Sequence, residues 1–114
     1  MTDRELLELA AKAAGLDRPN YIQDGFALGW QKTSGIAVES GATSGRLWNP
    51  LTDDGDAFRL AVKLEMDIFV RPTLLYTEVV APMGNPVQEP HNNDPYAATR
   101  RAIVHAAAEI GKGM

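Results

Sequence analysis

Asp94-Pro95-Tyr96-Ala97-Ala98-Thr99-Arg100-Arg101-Ala102-Ile103-Val104-His105-Ala106-Ala107-Ala108-Glu109-Ile110-Gly111 is the stretch on which the fold turns. Asp94 has the side chain of an N-cap, able to accept from a free amide of the first turn. Pro95 follows at the first helical position, where its missing N–H costs nothing, and Gly111 reads as the stop. Tyr96, Thr99, Ile103, Ala106, Ala107 and Ile110 fall on one side and read as core. Arg101, His105 and Lys112 lie opposite and read as partner-facing. The pattern predicts a helix from Pro95 to about Ile110, with alanines that let it approach a sheet or another helix closely.

Two further helices are punctuated in the same way. Thr2 and Glu5 have capping-box spacing, Leu6, Leu9, Ala10 and Ala13 share a face, and Glu8 and Lys12 stand one turn apart. Gly15 closes a helix over Asp3–Ala14. In the middle of the chain, Thr52 is the expected N-cap of a helix whose first turn holds Asp53, Asp54 and Asp56, where the dipole favours negative charge. Ala57, Leu60, Ala61 and Leu64 form its buried stripe, with Arg59 and Lys63 outside.

The intervening stretches read as strands and turns. Asp24-Gly25 predicts a tight turn between Asn20–Gln23 and Phe26–Lys32, and Ser34-Gly35 marks another before Ile36-Ala37-Val38. Arg46-Leu47-Trp48 is an expected short strand ended by Asn49-Pro50. Asp67–Val70 and Leu74–Ala81 predict a hairpin around Arg71-Pro72-Thr73. Small or Pro-rich tracts at 40–45 and 82–93 predict flexible loops. The order of elements predicts a single α+β domain over residues 1–114. Its expected form is one mainly antiparallel sheet of four to five strands packed with three helices, an α/β/α sandwich.

Composition narrows the function classes. The chain has 114 residues, 45% hydrophobic and 23% charged, as a globular domain has. Lys+Arg 11 against Asp+Glu 15 gives a net charge of −4, which disfavours general nucleic-acid binding. The absence of cysteine excludes disulfides, thiolate nucleophiles and Cys-based zinc sites. No apolar run approaches the ~20 residues of a membrane span. The opening Met-Thr-Asp-Arg-Glu is acidic where a signal peptide is basic, so the cytoplasm is the expected compartment.

No motif reaches a catalytic signature. Counted from Asp54, Asp56 and Glu65 occupy EF-hand positions three and twelve. Phe58 and Arg59 then stand where an oxygen ligand and a glycine are needed, so the carboxylates read as helix-capping and no metal is expected. His91 and His105 each lack an evident partner and read as solvated histidines. Ser34, Ser40 and Ser44 lie in turn-like stretches without a nucleophile elbow, and Gly41–Gly45 forms no phosphate-binding fingerprint. Arg100 borders the buried stripe of its helix and is expected to pair with a carboxylate of the second helix. Trp30 and Trp48 read as core, with Trp48 also placed to line a cleft.

The run Trp48-Asn49-Pro50-Leu51-Thr52-Asp53-Asp54-Gly55-Asp56-Ala57-Phe58-Arg59-Leu60-Ala61-Val62-Lys63-Leu64 resembles the middle segment of small phage and prophage proteins of the phage ABA-sandwich type. Asp94-Pro95-Tyr96-Ala97-Ala98-Thr99-Arg100-Arg101-Ala102-Ile103 is similar to their C-terminal helix, and Thr2–Gly15 to their opening one. Residues 17–45 and 82–93 are individual. The resemblance implies an α/β/α sandwich and a temperate-phage or prophage origin, and it carries no activity or functional residues. The expectation for function is a non-enzymatic accessory protein that binds a host or phage protein in the host cytoplasm, without a cofactor. A second is a small-ligand or nucleotide-sequestering domain, its pocket formed by Trp48, His91 and Arg100. A third is a small enzyme using His91 or His105.

Overall fold

Each helix start is fixed by a side chain. In the computed structural model, which describes the backbone of residues 1–16, 19–28, 31–37 and 47–114 and their side chains except at 24–28 and 31–33, Thr2 caps α1 (Asp3–Ala13). Its hydroxyl accepts from the Glu5 amide at 3.2 Å, and the Glu5 carboxylate accepts from the Thr2 amide at 3.4 Å. Gly15 follows in the left-handed conformation, φ 71°. The buried face is Leu6, Leu7, Ala10 and Ala11. Leu9 and Ala13, expected on that stripe, are half-buried. Glu8 pairs with Arg4 at 3.4 Å, while Lys12 donates to the Met114 carbonyl at 3.1 Å.

β1 (Asn20–Leu28) and β2 (Gln31–Ala37) form an antiparallel pair. Asp24-Gly25 makes no hairpin turn: it lies inside β1, where the register shifts on either side of Gly25. On each side of Gly25, three steps along β1 match two along β2, so each shift absorbs one extra residue in the ladder. Ser34-Gly35 likewise belongs to β2. A Cβ on Gly35 would stand 2.7 Å from the Trp48 carbonyl oxygen. That close approach permits Ile36 and Trp48 to exchange two backbone hydrogen bonds of 2.8 Å each. Trp30 and the loop expected at 40–45 lie outside the described residues.

α2 (Asp54–Lys63) is capped by Asp53, whose side chain accepts from the Asp56 amide at 2.8 Å. Thr52, the expected cap, is drawn into the preceding turn, because the Asn49 carbonyl accepts from both the Thr52 and Asp53 amides. β3 (Asp67–Arg71), β4 (Tyr76–Val80) and β5 (Val87–Pro90) form the second sheet, antiparallel throughout and in that order. Leu74, expected in the strand, belongs to a 3-10 turn over Pro72–Leu74, and Leu75 is left-handed at φ 62°. β5 corrects the reading of 82–93 as loop alone. Its residues have little strand propensity, and pairing with β4 through Thr77–Glu89 and Val79–Val87 supplies the order.

α3 (Pro95–Lys112) starts on Asp94, which accepts from the Ala97 amide at 3.0 Å. It packs on α1, α2, β4 and β5, so burial extends well beyond one stripe, to Ala98, Ala102, Ile103, Val104, Ala106, Ala107, Ala108 and Gly111. Gly111 is no stop. The helix runs through it, and a Cβ there would overlap the Leu9 carbonyl of α1. Tyr96, expected in the core, is 72% exposed.

The class is therefore α+β, with two small sheets among the described residues in place of the single four- to five-stranded sheet expected. α1 contacts β1 and β2, α3 contacts β4 and β5, and the two helices pack on each other. The cause is the small-residue surface of α3, which accepts a helix on one side and a sheet on the other. Among the described residues, no helix is long and apolar enough to cross a membrane.

Candidate functional site

The register of β3 on β4 sets Ile68 opposite Val79 and Val70 opposite Thr77. Directly opposed residues share a sheet face, so Ile68 and Val70 point to the same side as the buried Val79 and Thr77. α3 covers β4 and β5 but leaves the edge strand open, and every residue of β3 is exposed. Ile68 is 37% and Val70 45% exposed. Phe58 of α2 and Tyr96 of α3 stand out on the walls of the resulting groove, whose floor includes Ala57 and Ile103. Its volume is about 410 Å³.

The groove's two charged groups are engaged with one another. Arg100 Nη1 lies 2.7 Å from Asp54 Oδ1, the expected pairing with a carboxylate of the second helix. Arg100 Nε also donates to the Leu51 carbonyl at 2.8 Å, so the guanidinium ties the start of α2 to α3. The three aspartates of the acidic cluster have three different tasks: Asp53 caps, Asp54 holds Arg100, and Asp56 is buried. The Asp56 carboxylate accepts from the Asn49 amide at 2.9 Å and from Arg59 Nη2 at 2.9 Å. A first-turn aspartate reads as solvated from sequence; here the Asn49 amide closes over Asp56 and buries it.

The ligand pocket expected from Trp48, His91 and Arg100 is not assembled. Trp48 is buried in the core, 8% exposed, with no open ring face for stacking. His91 is also buried, where a solvated histidine was expected, because its amide donates to the Leu75 carbonyl and seats it at the end of β5. Its Nε2 lies 2.8 Å from the Thr77 hydroxyl, which lies 2.9 Å from the Thr99 hydroxyl. Arg100 borders the groove, His91 borders a neighbouring pocket beside Leu75 and Asn92 that shares Pro72 and Pro95 with it, and Trp48 lines neither.

The residues expected to face a partner are also distributed. Arg101 Nη2 reaches Asp3 Oδ1 at 3.0 Å, fastening α3 to the start of α1. His105 stands between Glu89 at 3.5 Å and Glu109 at 3.8 Å. Lys112 is exposed near the end of α3. His105 and Glu109 border a second hollow of about 660 Å³ beneath the β4–β5 connection. Its lining carries no hydroxyl, thiol or amine side chain. Among the described residues, no group of three or more His, Asp or Glu side chains is placed to hold a metal.

Together these features define an α+β protein with an open apolar groove, bordered by Phe58, Ile68, Val70 and Tyr96, beside a sheet edge. No family model, curated protein or solved structure matches the chain.

Proposed function

We propose that the protein is a non-enzymatic protein-binding module and that its contact surface is the groove of Phe58, Ile68, Val70 and Tyr96 with the adjoining edge of β3. The observation that carries this reading is the exposure of those four side chains within one continuous feature. Isolated exposed apolar residues are ordinary, whereas contiguous ones rimmed by polar groups mark interaction surfaces. The adjoining Arg100 and Asp54 neutralise each other, which leaves an apolar contact with a polar rim, the usual anatomy of a protein interface. A phage or prophage accessory protein acting in the host cytoplasm is part of the proposal, supported by the resemblance of the two terminal segments and residues 48–64.

The test is capture with the tagged chain as bait, offered host lysate and a differently tagged copy of itself. Capture lost in Phe58→Asp and retained in Lys112→Glu is the expected result. Capture indifferent to Phe58→Asp, or absent altogether, overturns the reading. Loss in Lys112→Glu alone would move the surface to the polar side of α3.

A further inference from the structure

We infer that the first occupant of this surface is a second copy of the chain, joined edge to edge through β3 in antiparallel register centred on Phe69. The inference rests on the reading of the groove and β3 as a contact surface, and it names the partner.

The two edges of the three-stranded sheet are unequal. β5 is flanked by Pro86 and ends on Pro90, and proline is a common guard of exposed edges. β3, Asp67-Ile68-Phe69-Val70-Arg71, has no proline, no lysine and no bulge against β4. Its three central residues are apolar and between 37% and 45% exposed. An unguarded apolar edge is a template for another strand.

The sequence of β3 is complementary to itself. An antiparallel pair centred on Phe69 sets Asp67 opposite Arg71 of the second copy, twice, and Ile68 opposite Val70, twice, with Phe69 opposite Phe69. Opposite charges facing each other across strands are favourable, and a parallel in-register pair would instead set Asp67 beside Asp67. Neighbouring registers fail for reasons of backbone. Centring on Val70 would draw Pro72, already in a 3-10 turn, into the ladder, and centring on Ile68 would require Glu65, left-handed at φ 54°. Only the Phe69 register uses the whole strand and neither flank.

The same register keeps the faces matched. Residues of equal parity oppose each other, so Ile68 and Val70 of both copies stay on the helix side and their grooves become continuous. Phe69 and Arg71, with the guanidinium 5.5 Å from the ring centroid, remain on the other side. There each Arg71 meets the second copy's Asp67. Two three-stranded sheets become one six-stranded sheet about a two-fold axis, the commonest symmetry of soluble dimers.

The experiment is sedimentation of the full chain over a wide concentration range, with two charge-reversal variants, Asp67→Lys and Arg71→Glu. The wild type should move from 12.4 kDa toward twice that mass as concentration rises. Each variant alone sets like charges opposite each other and should weaken association by about tenfold or more. Mixed in equal amounts they should associate again. The introduced lysine of one variant then faces the introduced glutamate of the other, while the native Arg71 of the first faces the native Asp67 of the second. No purely structural effect of either substitution predicts that rescue. Amide exchange supplies a second readout, with protection of β3 rising with concentration in the wild type. A wild type that stays at 12.4 kDa throughout, or variants that fail to re-associate, overturns the inference. If the chain is monomeric while Phe58→Asp still abolishes capture of a different protein, only the dimer falls. If nothing is captured either, both readings fall.

Discussion

Gly111 of α3 rests directly on the backbone carbonyl of Leu9 in α1, with no room for a side-chain carbon between them. This contact sets how closely the two helices approach, and the alanines Ala10, Ala11, Ala107 and Ala108 are fully buried around it. Replacing a helical glycine by alanine ordinarily favours the helix, by up to ~1 kcal/mol in its interior and less in a last turn such as that of Gly111. Gly111→Ala should do the reverse and destabilise the fold by at least ~2 kcal/mol, since the obstruction is backbone and cannot rotate away. A lower urea midpoint at unchanged slope would show it. A stabilised variant would mean that the helices separate without cost.

Asp56 and Asp53 lie three residues apart and should respond very differently to alanine. Asp56→Ala strands the buried Asn49 amide and removes the Arg59 contact, a loss of about 2–4 kcal/mol. Asp53→Ala removes an exposed cap, a loss of about 1 kcal/mol. Equal losses in thermal or denaturant unfolding would contradict the buried position of Asp56.

Thr77 is fully buried and its hydroxyl touches both His91 and Thr99. Thr77→Val keeps the shape and leaves His91 Nε2 without its partner, so a loss of about 1–3 kcal/mol is expected. Thr77→Ser retains the hydroxyl and should keep the ring signals of His91 near their wild-type positions in NMR spectra. A shift of those signals in the serine variant as large as in the valine variant would argue against the hydrogen bond.

Arg100 makes one exposed and one sheltered contact, and a double-mutant cycle separates them. Asp54 is largely exposed, so the coupling between Arg100→Ala and Asp54→Ala should stay below ~1 kcal/mol. Arg100→Ala alone should cost more than Asp54→Ala, by about 1 kcal/mol, because it also deprives the Leu51 carbonyl of its donor. A coupling that accounts for the whole effect of Arg100→Ala would show that the Leu51 bond contributes nothing.

The starts of the first and last helices were legible because capping acts over three residues, whereas that of α2 fell one residue later, at Asp53. Thr2 with Glu5, and Asp94 with Pro95, satisfy amides within the same turn wherever the helix is placed in the molecule. β3 was legible for a similar reason, since a short β-prone run bounded by turn residues has few alternatives. The Arg100–Asp54 pairing was legible from the border position of Arg100 on its helix. By contrast, Asp24-Gly25 and Gly111 carry local signals with two meanings. A glycine that can turn or stop a chain can also absorb a bulge or admit a neighbouring helix, and only the neighbour decides which.

The groove belongs to the second kind. From the residues themselves, Tyr96 reads as core and Phe58 as one more position on a helix. The sequence by itself determined the three helices, the caps of the first and last of them, the β3–β4 hairpin and the self-complementary order of Asp67, Phe69 and Arg71. Tertiary structure decided that the described strands divide between two sheets, that Trp48 and His91 are buried, and that α3 leaves β3 uncovered. Such outcomes depend on which apolar faces meet across the chain, and that contest is settled by total burial among distant residues rather than by any local pattern.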